Sequence, residues 1–545
     1  LPSLLCAFAP LRHRDYAVIW TANVVSLVGT WMNEIGAGWL MAVLTTSPLW
    51  VGLVQTAATL PVFLFALPAG ALADLVDRRR MILVNQIIMG VGGALFAGLV
   101  WQQWVTPWSL LLFSAFLGTG LAFYAPVRNA VVPRLVPKED LQEAIVLNGL
   151  GVNLARTIGP ALAGFLVTWV GLAAPFIINS LSFVGVVLAY WWWRPPAIAA
   201  STAPREALLG AVAAGIRYAR ASSPLRAIYL RMAALFLPAS AFWALLPLIA
   251  KQLLAGGADL YGLLLGSVGA GAVIIALLLP ALRARLGVNR LLAGAGLLLT
   301  LAMAGFALVP TVAVAVPAAL GFGAAWMASI SLLNASAQLA VPDWVRARAM
   351  SLLLVTLFGS LALGSALWGQ VASEQGIRAA LFAAAAVEVC LLVLVVRRRV
   401  PEAPLVDLEP AGLPAPVTDG NVPPTEGPIM VTIEYRVLAG HERAFTLALV
   451  ALSSARRRLG AFSWGMFEDA AERGRFIEYY LEPSWGSHLR HHERASSADL
   501  ALKREVECHL NPETPSPKVT HLVPPRVCWG DRPTPNAGSQ SVPPK

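Results

Sequence analysis

Two charged side chains stand inside long apolar runs and could do chemistry there. Glu34 follows Trp31-Met32-Asn33, and Arg156 precedes the block Gly159-Pro160. A charge in lipid is costly, so such residues face a cavity or a partner and are functional candidates by default. Desolvation favours the neutral form of a carboxylate, which suits Glu34 to proton exchange. Arg156 suits an anionic substrate, or a pairing with Glu34. The alternative for Glu34 is a place near the outer end of a long helix. Asn23, Gln55 and Asn153 could add polar contacts in the same cavity, or bridge helices. Glu388, in the last apolar run, reads as an interfacial or packing residue.

A second group is Gly70-Ala-Leu-Ala-Asp-Leu-Val-Asp-Arg-Arg-Arg80. It sets Asp74, Asp77, Arg78 and Arg79 between segments that otherwise avoid charge. Asp74 can accept from Arg78 or Arg79, or face the positive N-terminus of a neighbouring helix. Gly70 permits close helix packing. A third group lies far downstream: Trp464, Trp485, His488 and His492. The last two are four apart on one helix face. That spacing can hold a metal, but no third ligand is evident, so no metal and no cofactor are expected.

The elements that position these residues are read from composition and pattern. The chain has 545 residues, 57% hydrophobic and 13% charged, with a net charge of +10. Soluble domains carry roughly 45–50% apolar and about 25% charged residues. Twelve runs are long enough to cross a bilayer: 17–42, 49–73, 81–101, 107–127, 143–170, 172–193, 227–250, 260–282, 290–309, 311–337, 347–373 and 377–396. Arginines and lysines crowd alternate loops, which puts both termini in the cytoplasm and the chain in the plasma membrane. The same alternation accounts for the basic charge without nucleic acid. Four cysteines show no metal or redox spacing, and no GxxxxGK[ST] loop supplies an ATP engine.

The chain also repeats itself. Leu117-Gly-Thr-Gly120 resembles Leu320-Gly-Phe-Gly323. Val136-Pro137 and Val341-Pro342 are each followed, at the same offset, by Gly159-Pro-Ala-Leu-Ala-Gly164 and Gly364-Ser-Ala-Leu-Trp-Gly369. Two six-helix halves follow, 1–195 and 227–398, joined by a cytoplasmic connector, 196–226, with a helix along the membrane surface. Residues 399–427 read as a linker. Residues 428–523 read strand 430–437, helix 441–458, strands 461–468 and 474–482, helix 484–508 and strand 518–523. That order is ferredoxin-like. The tail, 524–545, is Pro-rich and reads as disordered. The fold class is an all-α membrane protein with a small C-terminal α+β domain.

Gly70-x-Leu72-Ala73-Asp74 with Arg78-Arg79 resembles the loop between helices 2 and 3 of the major facilitator superfamily, with Asp77 where that family has a second glycine. Leu282-Arg-Ala-Arg285-Leu-Gly287 is its decayed copy, which has lost the acid. Gly159-Pro160-x-x-Ala163-Gly164 resembles the fifth-helix motif of the exporters, with Ala163 in place of one glycine. Together they look most like the siderophore and drug exporter branch, of the transmembrane secretion effector type, over roughly residues 10–398. The resemblance implies alternating access around a midplane site, export of small organic molecules by proton antiport, and a latch in which Asp74 faces the eleventh helix near Asp343. Residues 428–523 resemble the antibiotic-biosynthesis-monooxygenase-like family, through "MVTIEYRVLAGHERAF" and "RFIEYYLEPSWGSHLRHHER". That implies a pocket near Trp464, Trp485, His488 and His492, and a route to dimerisation, with no catalytic residue assigned. An oxygenase anchored by its helices, or a sensor that does not transport, are the alternatives.

Overall fold

The apolar runs form helices, and turn residues set their ends. The structure is a computed structural model that describes residues 9–194, 208–308, 311–402, 411, 416, 422–514 and 516–524. The first bundle holds α1 (Arg14–Leu44), α2 (Pro48–Leu75), α3 (Arg78–Trp101), α4 (Pro107–Val131), α5 (Leu141–Trp169) and α6 (Ala174–Trp192). After α7 (Leu208–Ala221), the second holds α8 (Ser223–Leu248), α9 (Ala258–Leu286), α10 (Val288–Leu308), α11 (Val312–Leu339), α12 (Asp343–Gln375) and α13 (Ile377–Val396). Prolines at the first positions of α2 and α4 cost no hydrogen bond there. Among the described residues, eleven helices are long and apolar enough to cross a membrane. The helix α1, interrupted by Asn23, Asn33 and Glu34, is not among them. Exposed tryptophans mark both ends of the helical layer. Trp104 is 72% and Trp169 76% exposed at one end, and Trp191 is 69% exposed at the other. Such girdles sit where hydrocarbon gives way to headgroups.

Close approach at small residues joins the helices. A β-carbon on Gly159 would lie 2.6 Å from Trp31 Cβ, so α5 presses directly on α1. One on Gly164 would lie 2.9 Å from Gly262 Cα, so the same helix meets α9 of the other bundle. The repeat follows suit. Gly364 of α12 sits against Leu237 and Ser240 of α8. A β-carbon on Gly369 would lie 3.2 Å from Pro48 O, at the start of α2. Thr56 Oγ1 donates to Ala362 O at 2.9 Å, and Trp368 Nε1 donates to Leu237 O at 2.9 Å, along these same seams. The matching blocks therefore make matching contacts. The Leu-Gly-x-Gly pair matches less closely: Gly118 meets α2 and Gly120 meets α3, whereas Gly321 meets α10 and Gly323 meets α9.

The turn between α9 and α10 is finished by residues after α13. Glu402 Oε1 accepts from Asn289 Nδ2 at 2.8 Å, and Asn289 Nδ2 also donates to Val400 O at 2.9 Å. Gly287 has φ +76°, and the Glu402 carboxylate occupies the space a side chain there would need. The acid missing from this copy of the loop in sequence is thus supplied from another part of the chain.

Two compact units emerge: one of residues 1–212 and 224–403, the other of 213–223 and 404–545. The second half of α7 thus groups with the C-terminal unit. There Tyr218 is buried near Arg458 and Asp499. That differs from the expected surface connector, of which residues 196–207 lie outside the described residues. The tail from 525 and most of the linker also lie outside them.

The C-terminal unit runs β1 (Ile429–Arg436), α14 (Glu442–Leu459), β2 (Ser463–Glu468), β3 (Arg475–Glu482), α15 (Trp485–Arg494), α16 (Ser497–Glu507) and β4 (Lys518–Leu522). Its sheet is antiparallel, in the order β2-β3-β1-β4. Period-2 alternation buries Ile429, Val431, Ile433 and Tyr435 against Phe445, Leu449 and Leu452 of α14. The single helix expected over 484–508 is two helices. Ser496 stops the first and starts the second, because it forms a capping box with Asp499.

Leucine at Gly164 or at Gly369 must force two helices apart. Each substitution is expected to destabilise the chain by about 1–3 kcal/mol, read as a lower thermal unfolding midpoint in detergent. Midpoints equal to the parent's would mean the helices are not this close.

Candidate functional site

The two bundles meet at the end where α1 finishes and α2 begins, and Glu34 and Arg156 lie nearer mid-helix, on the approach to it. Arg156 Cζ stands 5.1 Å over the Trp31 ring, and its Nε is buried without an acceptor. Among the described residues no ion pair joins it to Glu34, although each side chain feels the other's charge. Across the seam, Tyr261 of α9 is near enough to feel Glu34, and its ring stacks on Trp39 at 5.9 Å. Lys251 Nζ closes this end by donating to Ala42 O at 2.5 Å. Pro160 lies within α5 and leaves the Arg156 carbonyl without its usual helical donor. Charge, an orphan donor and a freed carbonyl thus gather on one turn of α5.

At the opposite end, α1, α4 and α5 enclose a cavity of about 440 Å³. Asn23 lines it, with Trp20, Arg128 and Asn148. Tyr124 OH donates to Asn23 Oδ1, and Arg128 lies 5.7 Å over the Tyr124 ring. Arg156 and Gln55 are not among the lining residues. Gln55 instead lies on α2 one residue before Thr56, beside the seam with α12. Arg128 escaped the sequence reading because its predicted span stopped one residue short of it. Its signal was a cation in the last turn of a helix, next to Pro126.

The loop at 70–80 divides into what is visible and what is not. Asp77 caps α3, accepting from Arg80 N at 2.8 Å. Arg79 reaches from the same loop to α6. It donates to Tyr190 O at 2.8 Å and to Trp191 O at 2.5 Å, closing the C-terminus of α6, where carbonyls lack helical donors. The side chains of Gly70, Asp74, Asn153 and Asp343 lie outside the described residues, and with them the latch.

Glu388 of α13 is fully buried, and neither carboxyl oxygen has a hydrogen-bond partner among the described residues. The second bundle holds it away from the seam, among Ala384, Ala385 and their neighbours.

In the C-terminal unit the four expected pocket residues split into two clusters. Trp464 Nε1 donates to Glu478 Oε1 at 2.9 Å, and Tyr435 OH donates to Glu478 Oε2 at 2.7 Å. Arg456 Nε completes this buried network at 3.4 Å. Trp485, His488 and His492 lie in the other cluster, joined by His521 of β4. Beneath them Glu482 accepts from His488 Nδ1 at 2.7 Å and His491 Nδ1 at 2.5 Å. Burial alone would raise the Glu482 carboxyl, but His491 and His488 outweigh it and hold it below the usual carboxylate range. The third histidine, missing from the sequence reading, is His521. It was hidden because β4 is distant in sequence and enters by its register opposite Val431.

Two substitutions separate these buried acids. Glu478→Ala strands Arg456 in the core and is expected to cost about 3–5 kcal/mol in unfolding. Glu388→Gln removes an unpartnered acid, and the thermal midpoint is expected to hold or rise. A marked fall would reveal a partner for Glu388.

A family model described as transmembrane secretion effector matches residues 5–526, the C-terminal unit included. Among curated proteins, the enterobactin exporter EntS of Shigella boydii is 28% identical over 327 residues, 59% of this chain and 76% of that protein. The staphyloferrin A transporter of Staphylococcus aureus is 22% identical over 267 residues, 48% of this chain and 66% of that one. The chain spans 49% of the length of the transporter YfiS of Bacillus subtilis, at 24% identity. Among solved structures, a bacterial homologue of the lysosomal transporter Spinster, inward-facing and unoccupied, superposes with TM-score 0.55 at 16% identity over 72% of this chain and 98% of its own. The nucleoside transporter NupG gives 0.58 at 16% identity over 70% and 99%. Such identities speak for a shared fold. With nearly its whole length matched by that model, the chain belongs to the transmembrane secretion effector family of the major facilitator superfamily.

Proposed function

We propose that the chain is a secondary active exporter of small organic molecules, of the siderophore, drug or metabolite class, driven by proton antiport. The observation that carries this is an asymmetry. The bundles are packed together at the end where α5 meets α9 and α2 meets α12, while a cavity walled by the first bundle, with Asn23, Arg128 and Asn148 in its lining, opens toward the other end. A bundle pair that rocks about one site has this form in one of its two states. The relatives named as exporters of enterobactin and transporters of staphyloferrin A favour the substrate class.

In this reading α1 is a twelfth span, and its low hydropathy reflects its work. Glu34 takes up the proton, and Arg156, with Asn23, Asn153 and Gln55, meets the substrate as the bundles rock. Both termini are cytoplasmic in the plasma membrane, so the packed end faces outward and the 440 Å³ cavity faces the cytoplasm. Asp74 latches the cytoplasmic side in the opposite state. The C-terminal unit, ferredoxin-like and similar to the monooxygenase-like domains, pairs two chains through the open face of its sheet. There Phe467 stacks on Tyr479 at 5.9 Å and is 65% exposed. The population of the two states shifts because proton and substrate bind them unequally.

The test is pH-gradient-driven flux of siderophores, antibiotics and dyes in proteoliposomes. The parent is expected to transport at least one, Glu34→Gln to lose gradient-driven flux while still binding it, and a chain ending at Arg399 to keep part of the flux. A Glu34→Gln variant that transports like the parent removes Glu34 from coupling. Flux that vanishes in the shortened chain but survives in Glu402→Ala, which loses the same cap, moves the transport role onto the C-terminal unit.

A further inference from the structure

Three imidazoles from two elements converge in the C-terminal unit. His488 and His492 lie one turn apart on α15, and His521 enters from the neighbouring strand β4. One ring nitrogen of each lies within 4.8 Å of the other two. A tetrahedral ion with bonds of about 2.0–2.1 Å needs its nitrogens about 3.4 Å apart. Small rotations of the half-buried His492 and His521 supply that difference.

The orientation of His488 is already fixed. It is fully buried, and its Nδ1 donates to Glu482, so its lone pair is on Nε2. Among the described residues that Nε2 is buried with no hydrogen-bond partner, as are His521 Nε2 and, outside the cluster, His491 Nε2. Buried polar nitrogens without partners are costly and call for an explanation. A carboxylate behind a ligating histidine is how metal sites fix the tautomer and raise the basicity of the ligand. His491 also leans on Glu482, which holds that carboxylate in place from a second side. We propose that His488, His492 and His521 bind a divalent transition-metal ion of borderline softness, zinc or its neighbours, with Glu482 orienting the first ligand.

Three protein ligands leave a coordination position open. His492 and His521 also line a cavity of about 560 Å³, whose wall includes Tyr480, Arg436 and Lys503. Through His492 and His521 the open position borders a space whose walls carry Arg436, Arg456 and Lys503 together with Glu507. Three neutral imidazoles leave the ion's charge unbalanced at first contact, so the position suits water or an anionic oxygen donor.

The test uses the full chain without an affinity tag, stripped with a chelator and titrated with Co²⁺, then with Zn²⁺ in competition. One Co²⁺ per chain is expected, with the strong visible absorption of a low-coordinate cobalt–imidazole centre, and Zn²⁺ should displace it. His492→Ala and His521→Ala should each weaken binding about tenfold or more, and Glu482→Gln by about 10–100-fold. His441→Ala, at a histidine pair elsewhere in the unit where His441 and His509 approach at 3.2 Å, should bind as the parent does. No stoichiometric binding by the intact chain overturns the proposal. So does a His521→Ala variant that keeps its circular dichroism and binds like the parent. None of these readouts involves transport.

Discussion

Helices in lipid gain nothing from burying apolar surface against one another, so they associate where small residues let backbones touch. In this chain that constraint is met by two blocks with two glycines each. Gly159 sets α5 on α1 within one bundle, and Gly164 sets it on α9 of the other. Gly364 and Gly369 do the same for α12 with α8 and α2. The helices that carry Glu34, Gln55 and Arg156 are held by these contacts. Because each block touches both bundles, the helices α5 and α12 are at once pillars of their own half and the surface on which the halves meet. The proposed rocking would have to break the contacts of the second glycine while keeping those of the first.

The helices were legible because lipid demands long apolar runs, and the two small-residue blocks were legible because pseudo-symmetry repeats their spacing. Contacts that depend on chain reversal were not. Glu402 completes the turn after α9 from beyond α13, and His521 joins His488 and His492 only through the register of β4 on β1. Neither distance along the chain nor helical periodicity encodes either meeting. The break at Ser496 was legible in principle, since Ser496 and Asp499 have capping-box spacing, but the polar run around them looks continuous to a helical period. Asn23 lines a cavity of the first bundle. Arg156 stands one turn past Val152, which lines that cavity, and holds its guanidinium over Trp31 instead.

The two loops at the start of α3 and α10 show how symmetry survives the loss of sequence. The first helix is capped by Asp77 from the residue before it. The second has Glu402 facing Asn289 at its start, although no acid stands beside it in the chain. The same electrostatic need, a carboxylate at a helix N-terminus, is met in one half locally and in the other by a segment that leads to the C-terminal unit. Deleting that segment would remove a cap as well as a tether.

Charge accounting separates structural ions from available ones. Arg79 spends its donors on the carbonyls ending α6, and Arg231 donates to Val396 O at 3.2 Å, near the end of α13. Asp77 and Glu402 serve helix starts. These groups answer backbone groups that helices must leave unpaired, and fold alone explains them. Glu34 and Arg156 make no hydrogen bond among the described residues, and they sit on the approach to the seam. Glu388 is equally unpartnered but is sealed inside one bundle, where no motion of the halves reaches it. Under the proposed rocking, an unpaired acid beside the seam would change its surroundings, whereas a sealed one would not. That difference in position, more than the shared lack of partners, singles out Glu34.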